Sequence, residues 1–512
     1  MQLHRTYPGV RLPLTSLLLF LVLCAIPSIA AGQVAPASSP QVWSLPVQGP
    51  PTTDLALQGI GFDALTSIDL YFDDTALAST TTDNNGAFGN GVITAGGAAL
   101  TRIQVPATAL PGEHTITAKE HVGQKSAEKS FLVRTNWPRF GFDLQTTGLN
   151  PYENLLGPDN VASLTYSWAN CYATYLWSTP AVADGVVYSG GWDGSICAAD
   201  ATTGASLWTV QTQNQAGSPA VVNGVVYVGA DSVYALKAST GEIIWQFGGI
   251  DDFQSSPVVA NGVVYIGGIF DNSLYALNAT TGTQIWSFVT GAAIYGSPAL
   301  ADGIVYIGSG DGSVYALNAA TGALVWQYAT QGYVESSPAV ADGIVYIGSF
   351  DNNVYALDAK TGALIWKYTT SSDNGIESSP AVANGVVYIG GSSYGNADVN
   401  ALDAKTGALV WKFTAAGPVH ASPTVANGVV YIGSENPGGY FYALDAKTGA
   451  VLWSFAGEIL AAAPVVNGVV YVPYYGAVEA FILPNQQRSA SPGSAEPLER
   501  KIDGTSITPA RK

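Results

Sequence analysis

Basic residues are the scarcest feature of this sequence. Its 512 residues include 19 Lys and Arg against 37 Asp and Glu, with 4 His, for a formal net charge of −18. A chain so poor in cations repels nucleic acid and anionic lipid head groups, so a nucleic-acid partner is disfavoured and none is expected. Cysteine is nearly as rare: there are three, none in a C-x-x-C-H run, which excludes covalently attached c-type haem. Beyond the first 30 residues no apolar run is long enough to cross a bilayer. Once the leader described below is removed, His114, His121 and His420 remain, too few for a His-rich metal site.

What is abundant points to β structure. There are 58 glycines, 28 prolines and 27 tyrosines, the composition of short strands joined by tight turns. Residues 1–31 read as a secretory signal, with Arg5 and Arg11 ahead of an apolar run from Leu12 to Ile26 and small residues at Ala30 and Ala31. An uncleaved anchor and lipidation at Cys24 are the alternatives; the bulky Leu23 speaks against the second. The mature protein is therefore expected to be exported (periplasmic, cell-surface or extracellular), with no membrane span. Residues 32–41 form a Pro/Ser linker, and the polar segment 485–512 reads as a disordered tail.

Between them lie two regions. Residues 42–134 alternate apolar and polar side chains in segments such as Ser67–Phe72 and His114–Glu120, with turn clusters between, as in a small β-sandwich. Gly59, Gly61 and Phe62, then Asp83 to Phe88, then Val105 to Ala118 resemble the immunoglobulin-like modules of bacterial surface and secreted proteins. Such a resemblance implies a spacing or binding role.

Residues 135–484 are read as a propeller, with a lead-in over 135–168 and a repeat running from about Trp177 to Leu483. Pro180, Pro219, Pro257, Pro298, Pro338, Pro380, Pro423 and Pro464 recur every 38 to 43 residues, each after Ser, Thr or Ala. That period is the length of a four-stranded propeller blade. Each repeat holds an Asn-Gly or Asp-Gly pair such as Asp342-Gly343, suited to a type I′ turn. An apolar run, a second Asp-containing turn and a Thr-Gly pair such as Thr361-Gly362 follow. Full outer strands end at Trp208, Trp245, Trp286, Trp326, Trp366, Trp411 and Trp453, but the eighth repeat has neither Thr-Gly nor Trp. The segment Leu164–Trp168 is expected to supply its missing strand. The fold expected is all-β: an eight-bladed β-propeller of four-stranded blades, an N-terminal strand closing the last, preceded by a small β-sandwich.

The run Ala356, Asp358, Thr361, Gly362, Trp366 resembles the PQQ-enzyme repeat of the quinoprotein-like propellers. The lead-in Trp137 to Glu153 is similar to the opening of their dehydrogenase-like branch. That superfamily includes PQQ-dependent alcohol and polyvinyl alcohol dehydrogenases as well as a cofactor-free scaffold of outer-membrane protein assembly. The resemblance implies that Trp168, Trp208, Trp245, Trp286, Trp326, Trp366, Trp411 and Trp453 dock blade to blade. It also makes PQQ and Ca²⁺ candidate cofactors. Related dehydrogenases often carry a disulfide of adjacent cysteines beneath the cofactor and long insertions between blades. Here no Cys-Cys dipeptide occurs and the blade period never exceeds 43 residues, so no cofactor is expected.

Cys171 and Cys197 remain after the leader is lost. In an exported chain a disulfide is their default state, and it would staple the seam of the ring; two buried thiols are the alternative. The residues expected at the propeller mouth stand two before each Ser/Thr/Ala-Pro pair: Trp177, Ala216, Gln254, Tyr295, Glu335, Glu377, His420 and Ala461. They differ from blade to blade while their neighbours hardly change. Glu335, Glu377 and His420 fall on three consecutive blades and suit cation binding or acid–base chemistry; a solvated rim is the plainer reading. The expected function is a non-catalytic binding or scaffold protein of the cell envelope, monomeric, with a protein, small-molecule or polymer ligand at the mouth. The alternative is a PQQ- and calcium-dependent alcohol dehydrogenase of the polyvinyl-alcohol type.

Overall fold

An Asp-Gly or Asn-Gly pair reverses a chain when both residues take positive φ, and Asp342 (φ 50°) and Gly343 (φ 76°) do so. In the computed structural model of the protein this turn joins strands Ala339–Ala341 and Ile344–Gly348. Asn353–Asp358 and Leu364–Thr369 complete an antiparallel sheet in chain order. The structure describes residues 39–89, 93–94, 97–98, 101–248, 252–371, 373–391, 397–435 and 439–484. The expected signal and tail lie outside the described residues, as does the linker up to residue 38. Among the described residues no helix is long and apolar enough to cross a membrane.

The chain divides into two compact units. One comprises residues up to Val47, Asp54–Gln104 and His114–Phe131; the other comprises Gln48–Thr53, Val105–Glu113 and Leu132 onward. In the first, Gln41–Leu45 and Thr101–Gln104 flank Asp54–Ile60, and Ser67–Phe72 pairs with Thr75–Thr81 and Gly112–Glu120. Burial alternates along the strands as the sequence does. Leu55, Leu57, Ile68, Leu70, Ile116 and Phe131 are fully buried.

The second unit is a β-propeller. Its sheets, here called blades one to eight, span 181–211, 220–248, 258–289, 299–329, 339–369, 381–414, 424–456 and 465–482. The last contains three strands of its own, and Thr165–Asn170 pairs antiparallel with Ala477–Ile482 as its outer strand. The core is a series of clusters between neighbouring blades, such as Tyr306, Val314, Ala316 and Trp326 of blade four against Val345, Ile347, Tyr355 and Leu357 of blade five. Apolar runs in the second and third strands are therefore covered on both faces.

Outer tryptophans join blades by contact and by hydrogen bond. Trp326 Nε1 donates to the Ala359 carbonyl (3.0 Å), and the Tyr306 hydroxyl donates to the same oxygen (2.9 Å). The carbonyl lies in the next blade's Thr-Gly turn, which Asp358 Oδ1 holds by accepting from the Thr361 backbone N–H (2.8 Å) and hydroxyl (2.7 Å). Trp208, Trp245, Trp286, Trp366 and Trp411 donate equivalently to Ala238, Ala279, Ala319, Ala404 and Ala446. Trp168 lies over Gly204. Trp453 faces the blade without a Thr-Gly turn and packs on Phe441, Phe455 and Phe481 instead.

The lead-in threads the ring's interior. Trp137 exchanges two 2.7 Å backbone bonds with Val182 of blade one, and the Pro138 carbonyl accepts from Val221 of blade two (2.8 Å). The carbonyls of Leu144, Gln145, Thr147 and Gly148 accept from Leu300, Val340, Val382 and Val425 of blades four to seven. Asn150 Nδ2 reaches the Val465 carbonyl of blade eight (2.8 Å). In blades one, two and four to eight this one segment thus bonds the centre of the inner strand on its axial side.

Candidate functional site at the propeller mouth

The connections entering blades one, three, five and six are pinned on two sides. In Glu335-Ser336-Ser337-Pro338, the Ser336 hydroxyl oxygen accepts from Gly348 N–H of its own blade (3.1 Å). The Ser337 N–H donates to Ser379 Oγ of the next (2.9 Å). The same step links Thr179 to Ser218, Ser256 to Ser297, Ser297 to Ser337 and Ser379 to Ser422. The serine before Pro219, Pro298, Pro338, Pro380 and Pro423 is thus a stitch between neighbouring blades. The varied residue two positions earlier is displayed from a fixed backbone.

A second position stands beside it. In the connection from second to third strand, the N–H groups of Trp192, Ile269, Gly310, Phe350 and Glu435 donate to the carbonyls of Tyr175, Asp252, Ala293, Tyr333 and Pro418. Each acceptor lies two residues before a mouth residue. In blade one this sets the Trp177 and Trp192 rings 5.1 Å apart, and both are exposed. In blade seven it sets Glu435 beside His420, whose Nδ1–H donates to Glu435 Oε1. The sequence reading of the mouth did not include Glu435 or Trp192. The signal was present, since both occupy the second residue after the second strand, which varies as the first position does.

His420 Nε2 lies 3.8 Å from Glu377 Oε1 of blade six, so one imidazole sits between two carboxylates from two blades. Burial alone would lower the His420 pKa. The hydrogen bond to Glu435 and the charges of Glu377 and Glu435 outweigh burial, and the net shift is upward. Glu377 is raised by burial, opposed by His420 and reinforced by Glu435. Glu335 is raised by burial and by the Glu377 charge. The structure thus brings Glu335, Glu377 and His420 into one electrostatic group and adds Glu435. It leaves the other sequence-selected positions apart: Gln254 bonds Asp252 Oδ2 (3.1 Å), Tyr295 is exposed on blade four, and Ala216 and Ala461 are buried. Among the described residues no three His, Cys, Asp or Glu groups converge as a metal site.

Cys171 and Cys197 are joined as a disulfide, with Cα atoms 5.6 Å apart. Cys171 follows the strand that completes blade eight, and Cys197 lies in blade one, so the bond crosses the seam. It is buried with Trp168, Leu176 and Tyr471.

The family described as outer membrane protein assembly factor BamB matches this chain in four overlapping segments, residues 167–268, 193–297, 270–393 and 370–485. No curated protein sequence matches it. Quinohemoprotein alcohol dehydrogenase from Comamonas testosteroni superposes with a TM-score of 0.60 at 18% identity, over 70% of this chain and 82% of that one. For BamB from Moraxella catarrhalis the TM-score is 0.54 at 19% identity, over 64% and 100%. For a europium-containing methanol dehydrogenase it is 0.56 at 16%, over 64% and 87%. At these identities the likeness is one of fold.

PQQ, a tricyclic quinone with three carboxylates, is too large for the small cavity beside the lead-in. Between the lead-in and blades six to eight the axis holds a cavity of ≈10 Å³, lined by Trp137, Phe140, Thr146, Ser422 and Thr424. That is room for about one water, against roughly 300 Å³ for a small-molecule pocket. Towards the mouth the charged groups are carboxylates and one imidazole, the wrong sign for a tricarboxylate.

Proposed function

Because the chain belongs to the PQQ-repeat propeller family described as outer membrane protein assembly factor BamB, we propose that it is an exported, non-catalytic binding or scaffold protein of the cell envelope. Its ligand is engaged at the propeller mouth. The observation that carries this reading is the contrast within each repeat. Turn, stitch and docking residues are constant, while the two neighbouring mouth positions change from blade to blade. A rigid ring with a varied rim suits recognition. The secretory signal expected over residues 1–31 supports export, and we read the preceding two-sheet unit as an immunoglobulin-like spacer. The ring acts as a monomer and needs no cofactor.

A PQQ- and calcium-dependent alcohol dehydrogenase is the competing reading, supported by the fold shared with quinohemoprotein alcohol dehydrogenase. One experiment separates the two. The mature protein is mixed with PQQ and Ca²⁺, then assayed for quinone absorbance after gel filtration and for dye-linked oxidation of alcohols. No retained quinone and no turnover are expected; stoichiometric uptake with turnover overturns the proposal.

A further inference from the structure

Charge is distributed unevenly along the propeller axis. The connections at the mouth end enter the inner strands or join second to third strands. Among their described residues none is Lys or Arg, whereas Asp193, Asp231, Asp271, Asp311 and Asp351 occupy the hairpins. Glu335, Glu377 and Glu435 add to them. The propeller's lysines stand at the other end or on the outer strands: Lys237 at the end of a third strand, Lys360, Lys405 and Lys447 at the turns after third strands, Lys367 and Lys412 in the fourth. The mouth face also exposes large aromatics. The Trp177 and Trp192 rings lie 5.1 Å apart, tilted by 59°, with 55% and 46% of their surface open, and Tyr172, Tyr175 and Tyr333 are exposed around them or on blade five.

We infer that the mouth face binds a flexible cationic chain, a Lys- or Arg-rich peptide segment, with its cationic heads on the Trp177–Trp192 pair and its remaining charge towards Glu335 and Glu377. This rests on mouth binding as proposed above and names the partner's class. Charge complementarity selects the occupant. An anionic partner meets carboxylates, and the one imidazole, His420, is already held between Glu377 and Glu435. A neutral glycan can lie on the indoles, but it desolvates half-buried carboxylates and returns no opposite charge. A cationic side chain gains from both, because an indole face attracts a cation and a concave field of one sign focuses it.

The test is fluorescence titration of the mature full chain with deca-lysine, with deca-glutamate and with a neutral oligosaccharide, at low and at moderate salt. Three variants accompany the parent: Trp177→Ala with Trp192→Ala, Glu335→Gln with Glu377→Gln, and Glu242→Gln at the opposite end as a charge control. Circular dichroism confirms folding. The expected result is at least tenfold preference for deca-lysine, weakened by salt, at least fivefold loss in each mouth variant, and no change in Glu242→Gln. Binding of the neutral oligosaccharide, abolished by the tryptophan variant and without deca-lysine preference, overturns the cationic class and leaves mouth binding standing. Equal deca-lysine binding by parent and all variants overturns both. No binding of deca-lysine by the parent overturns the inference.

Discussion

The indole of Trp366 in blade five lies on the Thr-Gly turn of blade six at Gly407: a Cβ built on Gly407 would stand 2.7 Å from Trp366 Cδ2, and Gly407 itself has φ +71°. Both facts demand glycine. Gly407→Ala is expected to destabilise the protein by about 2–4 kcal/mol, from left-handed strain and a clash with a ring held by packing. The check is the shift in urea midpoint.

Trp366→Phe should cost less, about 1–2 kcal/mol. It removes the Nε1 donor to the Ala404 carbonyl, but that oxygen still accepts from the Tyr346 hydroxyl (3.0 Å). The same urea series ranks the two variants. A larger loss for Trp366→Phe than for Gly407→Ala contradicts this account of docking.

The Cys171–Cys197 bond closes a 26-residue separation and ties the strand that completes blade eight to blade one. Loop-closure entropy assigns it about 3 kcal/mol. Cys171→Ser with Cys197→Ser is expected to lower the urea midpoint, and a reductant should bring the parent to the variant's value without affecting the variant.

The mouth carries a pH signature. His420, Glu377 and Glu335 all have folded pKa values above their ordinary ones. Groups raised on folding contribute stability that is complete below the unfolded pKa and lost as pH rises through the folded one. The mouth's contribution therefore declines from the ordinary carboxylate range upward through the His420 titration. Urea midpoints measured from pH 5 to pH 8 should fall, and Glu377→Gln with His420→Gln should flatten the slope.

Much of the fold was legible because each constant residue answers a backbone demand visible within one repeat. Asp342-Gly343 needs positive φ, Gly362 needs it and room for Trp326, and Asp358 holds Thr361. The strand completing blade eight was legible by subtraction, since the last repeat lacks Thr-Gly and Trp. The axial path of the lead-in was not. Its bonds to Val182, Leu300 and Val425 are made by backbone groups, which leave little trace in side-chain identity. Glu435 escaped although its position varies between blades. What makes it part of the site is the Pro418 carbonyl that anchors it beside His420, a contact between two connections of one blade.

The claim that recognition occurs at the mouth is tested most directly by hydrogen–deuterium exchange of the mature chain with and without deca-lysine. Protection is expected in the connections holding Tyr175–Trp177, Trp192, Tyr333–Glu335 and His420, with the turns at Asp358–Gly362 and Asp403–Gly407 unchanged. Protection confined to those turns, or none at saturating peptide, contradicts it.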